Sequence, residues 1–158
     1  MRELVLVRID DRLIHGQIAT QWLSATHGNR ILIIDDPLVQ NAMMMRMLKA
    51  VAPPGIAVDV KTTAEAVEEL KKDTENKENL VILVKVPEVL EALIDNGIKI
   101  PKIILGGMGL TPQRKRFNKN VSASPDEAEC IKRIIKKGVP MYYQLVPSDK
   151  AVNVENLL

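Results

Sequence analysis

Three near-continuous apolar runs constrain the fold of this 158-residue chain more than any other feature of its sequence. They lie at residues 4–7, 30–34 and 80–86. An unbroken apolar run is typical of a strand that is buried on both faces, as in a parallel sheet covered by helices. The runs alternate with helix-like segments, and the length suits one domain. We therefore predict an α/β fold in which residues 1–158 form a single domain, with a mainly parallel sheet and helices on both faces.

Helix start and stop signals place the remaining elements. The starts are capping boxes at Thr62 with Glu65 and at Ser124 with Glu127, and an N-cap at Asp36 before Pro37. We predict helices from about residue 16 and at 37–50, 62–72, 87–96 and 124–137, further strands at 57–60, 102–105 and 139–146, irregular structure at 111–122, and a short helix in the tail. Right-handed crossovers then bring the loops after the first, second, fourth and fifth strands to one edge of the sheet.

Composition excludes several classes of protein. The formal net charge is +2, from 22 basic and 20 acidic residues, which is too balanced to predict binding to nucleic acid or adsorption to a membrane. The single cysteine, Cys130, excludes an internal disulfide and fits a reducing compartment. No apolar run approaches the ~18 residues that span a bilayer, and the first residues do not resemble a signal peptide. We expect a cytoplasmic protein.

The loop after the first strand concentrates the residues that carry chemistry. Within nine residues the chain has two arginines, two aspartates, a histidine and a glycine: Arg8, Asp10, Asp11, Arg12, His15 and Gly16. The loop leads into a helix, whose first N–H groups lack internal partners and stabilise an anion. Gly16 leaves room for a phosphate to approach the backbone, and Arg8 and Arg12 offer planar forks for phosphate oxygens. This combination favours phosphoryl chemistry.

His15 is the candidate nucleophile of this loop, because a neutral imidazole in an anion-binding site can itself become phosphorylated. Either Asp10 or Asp11 could hold one ring nitrogen as N–H and leave the other free to attack, and spacing does not choose between them. The simpler interpretation is a polar surface histidine that follows two helix-capping aspartates. The density of charged residues in the loop favours the functional interpretation.

Residues 7–22, VRIDDRLIHGQIATQW, resemble without a gap the signature of the IIB subunits of the mannose/fructose/sorbose class of the bacterial sugar phosphotransferase system. The resemblance implies an open twisted sheet. It also implies that His15 accepts a phosphoryl group from a phosphohistidine on a IIA partner, through Nδ1. The group then passes to a sugar carried by a membrane IIC/IID pair, with which the chain associates at the membrane surface.

On this interpretation, His15 is the nucleophile and phosphocarrier, and Arg12 and Arg8 neutralise the transferring group. Asp10 orients the imidazole, with Asp11 as the less favoured candidate for that role. Asp11, Gly16 and Gln17 are expected to form the phosphate-binding surroundings, the last two through their backbone N–H groups. No metal or cofactor is required, and the sugar is contacted only at the hydroxyl that becomes phosphorylated.

Two alternatives from other classes remain open. A non-catalytic phosphate-sensing or regulatory module would need the arginines, while His15 would be replaceable by a neutral isostere. A small enzyme, such as a phosphohistidine mutase or phosphatase, would need a general acid of its own, and no clear candidate lies outside the same loop.

Two further motifs have a structural and a functional interpretation. Gly106-Gly107-Met108-Gly109 is predicted to be a turn that needs positive φ, with close approach of the backbone to phosphate or to a partner as the alternative. It is not a dinucleotide fingerprint, since Pro112 stands where the third glycine would be. Arg114-Lys115-Arg116 with Lys119 is typical of a solvated hairpin, or else meets an acidic partner or anionic lipid.

Other polar and sulfur-containing residues are predicted to be structural. Asp35 and Asp36 are interpreted as caps rather than a metal or acid/base pair, because no Cys or His is spaced for zinc. His27 precedes Gly28, which is predicted to be the left-handed residue that ends the first helix. At least one methionine of residues 43–47 is expected to be exposed, which is compatible with a homo-oligomer but does not require one.

Overall fold

The computed structural model describes residues 1–158, which form nine strands, six α-helices and one 3-10 helix. In chain order these are β1 (Arg2–Asp10), α1 (Gly16–Thr26), β2 (Arg30–Ile34), α2 (Asp36–Val39), α3 (Ala42–Val51), β3 (Ala57–Lys61), α4 (Thr63–Leu70), β4 (Glu78–Val84), α5 (Pro87–Asp95), β5 (Ile103–Gly107), β6 (Lys115–Asn118), β7 (Val121–Ala123), α6 (Pro125–Lys136), β8 (Met141–Tyr143), β9 (Val152–Asn153) and a 3-10 helix (Val154–Leu157).

Seven strands form one open sheet in the order β3-β2-β4-β1-β5-β8-β9, in which every pair is parallel except β8 with β9. The predicted α/β fold with a mainly parallel sheet is confirmed. The chain leaves β1 toward β2 on one side and leaves β5 toward β8 on the other. The loops after these neighbouring strands therefore diverge, and the crevice between them is where α/β sheets place their ligands.

Two apolar cores, one on each face of the sheet, explain the unbroken apolar runs. In β2, Leu32 and Ile34 belong to the larger core, whereas Ile31 and Ile33 belong to the smaller one. Helices α4, α5 and α6 cover the first face, and α1, α2 and α3 cover the second. Both sets of side chains are removed from water, so successive strand residues are apolar.

The predicted helix at 37–50 is two helices, because Asn41 starts a second one by accepting a hydrogen bond from Met44 N at 3.1 Å. The N-cap of α2 is Asp35, and the prediction of Asp36 was wrong. Asp35 accepts from Leu38 N at 2.9 Å, while Asp36 accepts from the backbone N and the hydroxyl of Thr63 at 2.7 and 3.0 Å.

Three other local predictions need correction. Residues 111–122 contain the antiparallel pair β6–β7, and the strand predicted at 139–146 is reduced to β8. The left-handed residue after α1 is His27, with φ of 57°, rather than Gly28. Gly28 is needed for space instead, since a Cβ there would lie 2.7 Å from Val81 Cγ2. The capping boxes of α4 and α6 and the short helix in the tail are confirmed.

The surface has one apolar stretch, on α3, where Met43, Met44, Met47 and Val51 are exposed. The predicted exposure of the methionine-rich segment is thus confirmed, and a homo-oligomer stays a prediction. No helix has the length and apolar character needed to cross a bilayer.

Candidate functional site

The loop from Asp10 to His15 lies at the carboxyl end of β1, in the crevice between β1 and β5. Its turn is tight: Leu13 N donates to Asp10 O at 2.9 Å, and Arg12 N donates to Asp10 Oδ1 at 3.1 Å. Leu13 has φ of 59°, a left-handed conformation that costs a non-glycine residue energy. Its buried side chain anchors the turn in the apolar core beneath α1. Local hydrogen bonds and burial together hold this conformation.

His15 is the N-cap residue of α1, so its imidazole lies beside the free N–H groups of the first helical turn. Its Nε2 lies 3.4 Å from Asp10 Oδ2, and its side chain is 25% exposed. The structure thus places Asp10, one of the two aspartates left open by the sequence, against the imidazole. Nδ1 has no hydrogen bond within the chain. Gly16 and Gln17 are exposed, and Gly16 has φ of 51° with open space where a side chain would be.

Asp10 is the centre of the site's charges. It is 1% exposed and forms a two-point ion pair with Arg12, whose Nε and Nη2 each donate at 3.0 Å. Burial opposes ionisation of the carboxyl, but the hydrogen bonds from Arg12 and the charges of Arg8 and Arg12 outweigh it and lower the pKa of Asp10. The guanidinium of Arg12 is 46% exposed, so it is open to an anion beside His15.

Arg8 lies beneath Asp10, and its side chain is only 3% exposed. The expectation that Arg8 presents its fork to a phosphate does not fit this position. Its Nη2 lies 3.4 Å from Asp10 Oδ2 and donates to Leu145 O at 3.0 Å, and the guanidinium stacks 5.5 Å above the Trp22 ring. Burial lowers the pKa of Arg8. Arg8 therefore reaches the site through Asp10, whose charge it balances from below.

The glycines after β5 make room for these arginines. Gly106 and Gly107 lie inside β5, and neither they nor Gly109 have positive φ, so the predicted positive-φ turn was wrong. A Cβ at Gly106 would lie 2.0 Å from Arg8 Nη2, and one at Gly107 would lie 3.1 Å from Arg12 Nη2. A strand glycine next to a charged loop is the sequence signal for such close approach.

Asp11 is turned toward the loop after β5 and away from the imidazole. Its Oδ2 accepts from Gly109 N at 2.7 Å and lies 3.4 Å from Arg114 Nη1. This geometry does not support the expectation that Asp11 belongs to the phosphate-binding surroundings. Asp11 therefore joins the loop after β1 to the loop after β5.

A shallow basic pocket adjoins Arg12, with a volume of about 260 Å³. Its charged lining consists of Arg12, the hairpin residues Arg116 and Lys119, and one carboxylate, Asp11, while Asn120 and Ser122 add polar groups. The sequence indicated this basic hairpin without placing it at the site. No group of three or more His, Cys, Asp or Glu side chains is placed to hold a metal ion.

Comparison with known proteins gives the class that this fold and site define. Residues 4–158 match the family described as PTS system sorbose subfamily IIB component. The chain is 32% identical to the sorbose-specific EIIB component of Klebsiella pneumoniae, over 96% of this chain and 93% of that one. It is 30% identical to the mannose-specific EIIAB component of Escherichia coli K12, over 97% of this chain but 47% of that longer protein.

The structural comparison agrees. The crystal structure of the IIBSor domain of the Klebsiella pneumoniae sorbose permease superposes with a TM-score of 0.93 at 31% identity, over 98% of this chain and 94% of that one. The manxB structure from Thermoanaerobacter tengcongensis gives 0.89 at 34% identity, over 98% and 94%. The chain belongs to the sorbose subfamily of IIB components of the phosphotransferase system. It has a phosphotransfer role in sugar uptake, in a system whose IIB components work with IIA and membrane IIC/IID partners.

Proposed function

We propose that this chain is a phosphocarrier, in which His15 accepts a phosphoryl group from a phosphohistidine of a IIA partner and passes it to a sugar. The observation that carries the proposal is the position of the imidazole. Its Nε2 faces Asp10 Oδ2 at 3.4 Å, Nδ1 has no hydrogen bond within the chain, and the half-exposed Arg12 donates to the same Asp10 oxygen at 3.0 Å. This arrangement supports the roles of nucleophile for His15, orienting carboxylate for Asp10 and exposed cation for Arg12.

In the first step, the lone pair of His15 Nδ1 attacks phosphorus and the P–N bond to the donor histidine breaks. The donor imidazole keeps that electron pair. Asp10 holds the proton on Nε2, which fixes the tautomer with a free Nδ1 and stabilises the positive charge that develops on the ring. In the second step, a sugar hydroxyl oxygen attacks phosphorus and the P–N bond breaks, with its electron pair returning to Nδ1. The hydroxyl proton is released to solvent, and His15 recovers its neutral form.

Arg12 is the cation that faces the transferring group, and the backbone N–H groups of Gly16 and Gln17 provide further donors. Arg8 acts on the group only through Asp10. Transfer between two histidines and a hydroxyl needs positioning and charge stabilisation more than covalent chemistry, so the scheme uses no metal ion or cofactor. We further propose that the chain works in the cytoplasm, at the membrane surface where the IIC/IID pair carries the sugar. The exposed rim position of the site suits transfer between two proteins in turn.

A phosphate-sensing module is the second candidate, because Arg12 and the basic pocket would bind phosphate without any reaction at His15. Transfer of labelled phosphate from a phosphorylated IIA partner separates the two. We expect an acid-labile, base-stable label on the wild type and none on His15→Gln. Arg12→Ala should slow the transfer about a hundredfold.

His27→Gln is the matched control, since His27 is the other histidine and lies at the far end of α1. It should be labelled as fast as the wild type. Equal labelling of His15→Gln would overturn the carrier proposal and favour the sensing module.

A further inference from the structure

We propose that Arg114 is a positioning residue for the His15 loop and acts through Asp11. The inference rests on the carrier function proposed above and adds a residue from a distant part of the sequence. Arg114 lies between β5 and β6, and it contacts neither His15 nor the open face of Arg12. Its contacts join the two loops of the crevice to the start of α6.

One side of the Arg114 guanidinium is fixed on α6. Its Nε and Nη2 donate to the two carboxylate oxygens of Glu127, both at 2.8 Å. Glu127 is itself held in a capping box, since it accepts from Ser124 N at 2.9 Å while its own N–H donates to the Ser124 hydroxyl. The Arg114 and Glu127 side chains are 12% and 11% exposed, so the pair is well shielded.

The electrostatics of this pair agree with the geometry. The hydrogen bonds to Glu127 raise the pKa of Arg114. Burial opposes ionisation of Glu127, but the hydrogen bonds from Arg114 and Ser124 outweigh it and lower the pKa of that carboxyl. Two-point pairs of this kind give fixed orientation as well as energy.

The other side of Arg114 reaches the site. Its Nη1 donates to Gly109 O at 3.0 Å and lies 3.4 Å from Asp11 Oδ2, and the same Asp11 oxygen accepts from Gly109 N at 2.7 Å. Asp11 stands in the chain between Asp10, which faces His15, and Arg12, which faces solvent. Any displacement of Asp11 therefore moves both through their shared backbone.

The His15 loop needs this support, because one of its residues has a costly backbone conformation. Leu13, a non-glycine residue, has φ of 59° two residues before His15. A strained turn persists only where its surroundings determine it. Arg114 contacts Asp11 at the start of this turn and is thus placed to set the position of Asp10 relative to the imidazole.

The test compares Arg114→Gln with Arg133→Gln, since Arg133 on α6 makes a similar two-point pair with Glu91 at 2.8 and 3.0 Å away from the crevice. We expect Arg114→Gln to slow transfer from phosphorylated IIA about tenfold or more, and Arg133→Gln to change it less than twofold. Arg114→Lys, which keeps the charge but loses the two-point geometry, should lie between. Equal transfer rates in Arg114→Gln and Arg133→Gln would overturn the inference.

A double-mutant cycle that combines Arg114→Gln with Asp11→Asn tests whether Arg114 acts through Asp11. If Arg114 acts through Asp11, the double variant transfers no more slowly than the slower single variant. Independent, multiplicative losses would contradict the proposed route.

The NMR spectrum of the His15 ring supplies a readout that needs no phosphodonor. Arg114→Gln should shift the ring signals, and Arg133→Gln should not. If wild-type His15 is never labelled, the carrier function fails, yet the ring spectrum still decides whether Arg114 positions the imidazole. Unchanged ring signals in Arg114→Gln would overturn the inference even where the label appears.

Discussion

The two ends of the sheet carry similar residue types but differ in charge balance. At the amino end, the carboxylates of Asp59, Glu69 and Glu78 pair with three cations, Arg2, Arg30 and Lys61. At the carboxyl end, one carboxylate, Asp10, faces two arginines and a histidine.

The difference lies in which charges remain open to a ligand. The amino end is electrostatically complete within the chain, and the Arg30 side chain is only 16% exposed. Around Asp10 at the carboxyl end, cations are in excess, and the Arg12 side chain is 46% exposed. A phosphoryl group would complete that end, so the charge imbalance is the physical basis of the proposed activity.

The comparison is tested most directly by replacing one arginine at each end of the sheet. Arg12→Ala should slow phosphoryl transfer about a hundredfold and lower the free energy of unfolding by about 1–3 kcal/mol, because the buried Asp10 loses two side-chain hydrogen bonds. Arg30→Gln should also lower the free energy of unfolding by about 1–3 kcal/mol, because three carboxylates lose hydrogen bonds, with transfer nearly unchanged. Urea unfolding and labelled transfer measure the two effects. A loss of transfer in both variants would contradict the assignment of transfer to the carboxyl end alone.

Gly106→Ala should damage the carboxyl end without replacing a charged residue. The added methyl group would lie 2.0 Å from the guanidinium of Arg8, whose side chain is buried. We expect a loss of about 1–3 kcal/mol in the free energy of unfolding, together with slower transfer.

Gly107→Ala is the graded control for this variant. Its methyl group would lie 3.1 Å from the exposed Arg12 and 3.2 Å from Asp10 Oδ1, so both contacts are looser than the one at Gly106. A larger loss of stability in Gly107→Ala than in Gly106→Ala would show that Arg8 is not held as described.

Substitutions of Asp35 and Asp36 test whether every acidic residue at the carboxyl end of the sheet belongs to the site. Asp35→Ala should cost about 1 kcal/mol through loss of the N-cap of α2. Asp36→Ala should cost about 0.5–1 kcal/mol through loss of its hydrogen bonds to Thr63. Neither change should alter transfer, and a loss of transfer in either variant would extend the site to β2.

The smallest predicted effect is on the pH dependence of stability, through Glu69 at the amino end of the sheet. The hydrogen bonds from Arg30, followed by that from Lys61, lower the pKa of Glu69 from 4.5 to about 2. A carboxyl group with a depressed folded-state pKa stabilises the fold above its unfolded value, and that contribution is lost as pH falls from about 4.5 to about 2.

Across this pH window, the free energy of unfolding should fall less steeply with decreasing pH for Glu69→Gln than for the wild type. An equally steep loss in the two proteins would contradict the pairing. Transfer measured at neutral pH should be insensitive to this change.

The fold was predictable because strands that are buried on both faces have unbroken apolar runs in the sequence, as in β2 and β4. Loop geometry was less predictable. The left-handed residue after α1 is His27, since Gly28 is required for packing against Val81. The break between α2 and α3 depends on one hydrogen bond of Asn41.

At the site, spacing identified His15 and its loop but not the direction of each side chain. Arg8 and Arg12 are chemically alike in sequence, yet one is buried over Trp22 and the other is half exposed. Asp10 and Asp11 likewise point to different loops. Arg114 was not assigned to the site, and Gly106 entered only through the alternative of close backbone approach to phosphate, because only the pairing of β1 with β5 shows which side chains they meet.

The central claim is that His15 carries the phosphoryl group on the nitrogen that Asp10 leaves free. The most direct measurement is a phosphorus–nitrogen NMR correlation on the ¹⁵N-labelled, phosphorylated protein, which identifies the bonded ring nitrogen. The account predicts phosphorus on Nδ1 of His15, with Nε2 protonated toward Asp10. Phosphorus on Nε2, or on any other residue, would contradict it.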